Sequence, residues 1–193
     1  MFTRRAWPVA TATALLVTSS VFPATAQLKT YGVGRAPTAD EVTAWDRTIP
    51  ADGEGLPAGR GTAALGQAIF VERCTSCHGE RGENGKYDRL VGGRGTLTTD
   101  RPVLTVGSFW PYAPTLWSYI RRAQPVDEPG SLTTDQVYAV TAYLLYLNGI
   151  IGEHDVMDST TLAQVKMPNR DGFVADPRPD VGRPAKARPR AAR

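Results

Sequence analysis

The feature that most constrains this chain is the run Cys74-Thr75-Ser76-Cys77-His78. A C-x-x-C-H motif is typical of covalent haem attachment, in which the cysteines bond the haem vinyl groups and the histidine binds iron. Residues three apart lie on one face of a helix, so both sulfurs can reach the same porphyrin edge. The sequence therefore predicts one haem c, attached through Cys74 and Cys77, with His78 as the proximal iron ligand.

Other uses of this motif are weaker. A structural zinc site needs four ligands, and the chain has only two Cys and two His, so such a site would take all of them or a carboxylate. A thioredoxin-type pair requires a βαβ context, whereas the flanking residues have helical periodicity. A plain disulfide remains the simplest alternative.

The first residues have the pattern of a secretory signal peptide over 1–26. Arg4 and Arg5 precede a run of apolar and small residues at 10–22, and an A-x-A sequence at 24–26 suits cleavage before Gln27. This pattern predicts an exported, periplasmic protein. No other long apolar run follows, so we expect no stable membrane insertion, with an uncleaved N-terminal anchor as the alternative.

Helical signals dominate the rest of the chain. Thr133 and Gln136 form a capping-box pattern, and Gly149 suits the C′ position of the same helix. No stretch shows strand-like alternation of any length. The sequence therefore predicts an all-α fold, a class I-like c-type cytochrome domain with three to four helices around one haem. The predicted helices cover 62–73, 114–123 and 133–148, with a short one at 40–45.

The composition predicts a single domain between two irregular segments. Residues 27–60 are expected to form an extended arm, 61–175 the cytochrome c domain, and 176–193 a disordered basic tail rich in Pro and Arg. The formal charge of the chain is +3. A basic tail can bind nucleic acid, but an exported protein rarely meets any, so no nucleic-acid partner is expected.

A second axial ligand must come from beyond the last helix, because no Met lies between His78 and that helix. Three residues qualify: Met157, Met167 and His154. Met167 is favoured because the following Pro168 restrains it to an extended backbone and so preorganises the loop. A thioether ligand raises the haem potential and suits electron transfer. Met157, His154 and an open iron site remain alternatives.

Two further expectations concern packing. Gly66, inside a predicted helix, either allows another helix to cross closely or is neutral. The glycine-rich loop at 92–97 lacks the Gly-Lys-Ser/Thr ending of a phosphate loop. Its glycines are better suited to close approach of the backbone to a haem. Arg94 and Arg101 could pair with haem propionates or simply be solvated.

The chain resembles the cytochrome c subunit of bacterial sulfite and sulfur dehydrogenases, including the Sox-type sulfur dehydrogenase cytochrome. The resemblance covers about residues 30–180, and the aromatic segment and the Lys-Met-Pro-Asn segment are its most specific parts. The segments that carry it are 31–35, 74–79, 92–97, 106–113, 138–148 and 165–173.

The resemblance implies a molybdopterin-containing partner that oxidises sulfite or a protein-bound sulfur species. This subunit would take the electrons one at a time, perform no bond chemistry itself, and pass them to a soluble cytochrome or the respiratory chain. The Met ligand of the family falls on Met167. Some Sox-type members carry a second haem domain, whereas the single C-x-x-C-H here favours the monohaem form. A free diffusible cytochrome, a cytochrome subunit of another periplasmic dehydrogenase and a haem sensor or peroxidase remain alternatives.

Overall fold

The structure, a computed structural model, describes residues 31–176 and residue 178. The predicted signal peptide and nearly all of the predicted basic tail lie outside the described residues. The regular secondary structure of the described part is almost entirely helical, as predicted. Its helices are all too short or too polar to span a membrane. In chain order its elements are α1 (Ala39–Trp45), β1 (Arg60–Gly61), α2 (Ala63–Arg73), α3 (Thr75–His78), α4 (Ala113–Ala123), α5 (Thr134–Leu147), β2 (Met157–Asp158) and α6 (Thr161–Gln164).

The helix ends follow the local sequence signals. Thr62 caps α2, with its hydroxyl accepting from the amide of Leu65 at 3.3 Å. Thr133 and Gln136 form the predicted capping box of α5, and Gly149 has a φ of 63°, in the left-handed region that a C′ glycine adopts. The predicted helices are therefore confirmed, with small shifts at their ends.

The chain divides after Pro37. The described residues before this point, 31–37, are exposed and have no helix or strand. The unit from residue 38 onward contains every helix and strand of the described residues, and the following paragraphs concern it alone.

The closest helix contact is the crossing of α2 over α5. Gly66 is buried there, and a Cβ at this position would collide with the Ala139 carbonyl oxygen and lie 2.9 Å from Tyr143 Cβ. The rings of Phe70 and Tyr143 meet beside it, with centroids 5.3 Å apart. The close-crossing interpretation of Gly66 is therefore the correct one.

α4 packs on α5 and also holds the chain that precedes α2. Trp117 and Tyr138 are fully buried, with ring centroids 5.2 Å apart. The amide of Ile49 donates to the Ser118 hydroxyl at 3.0 Å, and the Tyr138 hydroxyl donates to the Pro57 carbonyl at 3.0 Å. Part of the segment predicted as an extended arm therefore packs on the core. The domain limits at 60/61 and 175/176 stay predictions.

Two very short strands join the chain after α5 to the chain before α2. Arg60 pairs with Asp158 and Gly61 with Met157 in an antiparallel ladder. The sequence predicts no strand here, because a two-residue strand is too short to show alternation. Met157 is buried in this ladder rather than in a free loop. The pairing anchors the segment that leads to α6 and on to Met167.

Candidate haem site

The C-x-x-C-H motif forms a single tight helical turn where α2 ends. Cys74 is the C-cap residue of α2 and the N-cap residue of α3. Its amide donates to the Phe70 carbonyl at 2.9 Å. Its carbonyl accepts from the amides of Cys77 at 3.2 Å and His78 at 3.0 Å. Both cysteines are half-buried and free, so the alternative of a disulfide does not form here.

Burial disfavours the ionised, thiolate form of Cys74. Desolvation raises the pKa of its thiol to about 11, although the neighbouring Arg73 charge acts in the opposite direction. Cys74 also packs against the apolar core. A thioether carries no charge, so the same burial does not oppose a covalent bond at this sulfur.

His78 is oriented by a backbone carbonyl. Its Nδ1 lies 3.2 Å from the carbonyl oxygen of Asp88. When Nδ1–H donates to this oxygen, Nε2 is the ring nitrogen left to bind a metal. Sequence reasoning missed Asp88 because the acceptor is a main-chain atom that any residue provides.

The loop that delivers Asp88 turns tightly around the motif. The amide of Tyr87 donates to the Cys77 carbonyl at 3.0 Å. Gly79 adopts a φ of +78°, and a Cβ at Gly85 would collide with the carbonyls of Cys77 and His78. Glycine is therefore required where this loop approaches the motif.

Asn148, at the end of α5, holds the next part of the loop. Its side chain donates to the Leu90 carbonyl at 3.2 Å and accepts from the amide of Gly92 at 3.1 Å. The Arg94 guanidinium donates to the Asn148 carbonyl at 2.7 Å. This hydrogen bond gives a partner to a carbonyl that the end of the helix leaves without an intrahelical donor. Arg94, considered for a haem propionate, thus has a partner within the protein, and Arg101 is exposed.

Met167 is buried in the same apolar core that Cys74 borders, with 3% of its surface exposed. It follows α6 by three residues, after the cap Val165. Of the other two candidate ligands, Met157 is buried in β2 and His154 is exposed. The structure therefore buries the thioethers of both Met157 and Met167, and the exposed imidazole of His154 lies outside the core.

The loop after Met167 packs on the aromatic segment 109–112. The Asn169 side chain donates to the Phe109 carbonyl at 2.8 Å. The rings of Phe109 and Phe173 meet nearly edge-on, with centroids 5.2 Å apart. The aromatic segment and the predicted ligand loop are therefore in direct contact.

The chain is similar to known cytochromes in sequence and in structure. The cytochrome c family model matches residues 63–148. No curated protein sequence gives a match. Among solved structures, a chain of the sulfane dehydrogenase SoxCD from Paracoccus pantotrophus is 38% identical, with 84% of this chain and 83% of that chain covered and a TM-score of 0.71. This chain belongs to the Sox-type sulfur dehydrogenase cytochromes.

A Sox-type cytochrome of this kind has a cytochrome c domain, which binds haem covalently and transfers electrons. The residues present fit that group: two free thiols in one helical turn, an imidazole with an oriented Nδ1, and a buried thioether. Across residues 31–176, no three His, Cys, Asp or Glu side chains come together in a way that could hold a metal ion. Two thiols, an imidazole and a thioether are the donor set of a haem c site.

A separate surface cavity of about 320 Å³ in this Sox-type cytochrome contains none of the four predicted haem-binding residues. It is lined by Asp46, Arg47, Thr48, Ile49, Glu54, Gly55, Pro57, Trp117 and Arg121. The indole Nε1 of Trp117 is buried and has no acceptor among the described residues. The cavity lies between α4 and the chain before α2.

Proposed function

We propose that this chain is the periplasmic, monohaem electron-transfer subunit of a molybdopterin sulfite or sulfur dehydrogenase. It accepts electrons from the molybdopterin subunit and passes them to a respiratory acceptor. The similarity to a sulfane dehydrogenase over 84% of the chain supports this assignment. The protein makes no substrate bond itself, since a cytochrome contributes ligands, a dry pocket and a docking surface.

In this proposal, four side chains hold the haem. Cys74 and Cys77 would form the thioethers, His78 would bind the iron through Nε2, and Met167 would be the second side-chain ligand of the iron. Bound haem supplies a one-electron carrier that alternates between ferric and ferrous iron. The Asp88 carbonyl would hold the imidazole in a fixed orientation.

The observation that carries the proposal is the buried Met167 thioether, which lies in the same apolar core that Cys74 of the haem motif borders. A thioether ligand favours the ferrous state and raises the potential, which suits a carrier that must accept electrons. A ligand on both sides also leaves no open coordination position for a small molecule. A sensor or peroxidase needs that open position, so the buried thioether favours electron transfer.

The docking surface is proposed to include the exposed ring pair Phe109 and Phe173, which are 38% and 55% exposed. Aromatic residues are enriched at interface cores. Trp110 is less suited to a docking role, because its indole nitrogen donates to the Thr115 hydroxyl at 2.9 Å and its ring packs against Tyr119. Trp45, the last residue of α1, is a further exposed aromatic of the same unit.

The proposal is tested on the tagged full chain, purified gently with its native companions. Sulfite is added and the haem absorption is followed. Reduction by sulfite, together with a co-purifying molybdenum subunit, is the expected result for a sulfite-type partner. A molybdenum subunit without reduction by sulfite indicates another sulfur donor. A monodisperse monomer that only dithionite reduces contradicts the proposal and favours a free carrier.

Matched variants of the tagged chain, purified in the same way, test where the docking surface lies. Phe173→Ser removes one exposed ring, and deletion of residues 28–45 removes the N-terminal aromatics; each is expected to reduce the amount of co-purifying subunit. Tyr87→Ser is the control, because Tyr87 is also an exposed aromatic but lies in the loop after the haem motif. Unchanged recovery with both test variants would show that the surface is elsewhere.

A further inference from the structure

The chain turns back sharply just after Met167. The amide of Arg170 donates to the Met167 carbonyl at 3.1 Å, and the amide of Gly172 donates to the Asn169 carbonyl at 3.2 Å. Pro168 restricts Met167 to an extended backbone. These features fix the shape of the turn, but they do not fix its position on the rest of the protein.

Three contacts join this turn to the aromatic segment 109–112. Asn169 Nδ2 donates to the Phe109 carbonyl at 2.8 Å. The Phe173 ring meets the Phe109 ring, and the Arg170 guanidinium lies 5.6 Å from the centre of the Tyr112 ring. Ring contacts at a partly exposed surface tolerate sliding, whereas a hydrogen bond is directional. The bond from Asn169 is also the contact closest in the chain to Met167.

Both ends of this hydrogen bond are held. The Phe109 amide donates to the carbonyl of Thr105 at 3.0 Å, and the Thr105 hydroxyl lies 3.2 Å from that of Ser108 in a buried turn. On the other side, a Cβ at Gly172 would collide with Asn169 Oδ1. Gly172 therefore leaves the space that the Asn169 amide occupies, and the bond has a defined direction.

We propose that Asn169 is a positioning residue that sets how firmly Met167 is held at the iron. This inference rests on the proposed function, in which Met167 is the axial ligand. The loop then has a closed state, with Met167 bound, and an open state, with the iron accessible. The hydrogen bond exists only in the closed state, so its loss shifts the population toward the open state.

Imidazole competition on the purified ferric haem protein measures this equilibrium. Free imidazole binds iron only when Met167 has left, so its apparent Kd reports the closed fraction. Asn169→Leu removes the donor at similar volume, and Gly172→Ala disturbs Asn169 while keeping it. Loss of one neutral hydrogen bond predicts an apparent Kd about fivefold lower for each variant. The weak red absorption band of a thioether-bound ferric haem should weaken in parallel.

Arg170→Gln is the matched control, because it removes the contact with Tyr112 and leaves the Asn169 bond intact. Its apparent Kd should change less than about twofold, because the guanidinium lies 5.6 Å from the ring centre, near the outer limit of a favourable cation–π contact. A fivefold change in the control, or less than twofold in Asn169→Leu and Gly172→Ala, overturns the inference. Met167→Ala tests the axial role of Met167 separately from the positioning role of Asn169. If this variant keeps the red band and the original imidazole affinity, the assignment of Met167 as the axial ligand is wrong.

Discussion

Gly66→Ala is expected to lower the free energy of unfolding by about 3 kcal/mol. The added methyl would collide with the carbonyl oxygen of Ala139 and lie 2.9 Å from Tyr143 Cβ. A backbone obstacle cannot rotate away, so α2 and α5 must separate, at the upper end of the about 1–3 kcal/mol range for overpacking. Loosening the ring pair of Phe70 and Tyr143 adds about 1 kcal/mol to this destabilisation. The better helix propensity of alanine lowers the destabilisation by about 1 kcal/mol.

Urea unfolding of the haem protein, followed by far-ultraviolet circular dichroism, measures this change. Ala68→Gly is the control, because Ala68 is an exposed residue of the same helix. This control reports propensity alone and should destabilise by about 1 kcal/mol. If propensity decided the outcome at residue 66, Gly66→Ala would stabilise by a similar amount. A stabilised or unchanged Gly66→Ala variant would refute the steric reasoning.

Two other predictions concern single side chains. Asn148→Ala leaves the Gly92 amide without its acceptor in a partly buried site and should lower the free energy of unfolding by about 2 kcal/mol; a thermal melt that matches the parent contradicts it. Burial, and secondarily the Asp158 charge, raise the pKa of Tyr138 from 10.0 to about 12. The folded state therefore holds this proton more tightly, so stability is complete below pH 10 and declines as pH rises through 12. In Tyr138→Phe the decline should be smaller; identical urea midpoints across this pH range in both proteins would contradict the assignment.

The local features of the fold could be predicted because their causes are local. Thr62 and Thr133 each stand before a helix with an acceptor hydroxyl, and both cap as expected. The C-x-x-C-H turn needs only helical spacing. The two-residue strands were not predictable, because their pairing joins residues about a hundred positions apart and leaves no periodic signal.

The positions of the site residues required contacts between distant segments. Asp88 orients His78 through a main-chain oxygen, and Asn169 reaches a main-chain oxygen of Phe109 across 60 positions. No residue type marks such an acceptor in a sequence. Similarly, Arg94 has a charge that would suit a propionate, but the fold gives it a carbonyl at the end of α5.

The sequence by itself determined the haem-attachment turn, the helical class and the set of residues that could bind iron. Those features depend on side-chain chemistry and on spacing within a few residues. The tertiary structure decided that α2 and α5 cross at Gly66, that Met167 is buried whereas His154 is exposed, and that part of the segment before α2 packs on the core. Burial and close approach are properties of surfaces that meet only after folding, so no local pattern specifies them.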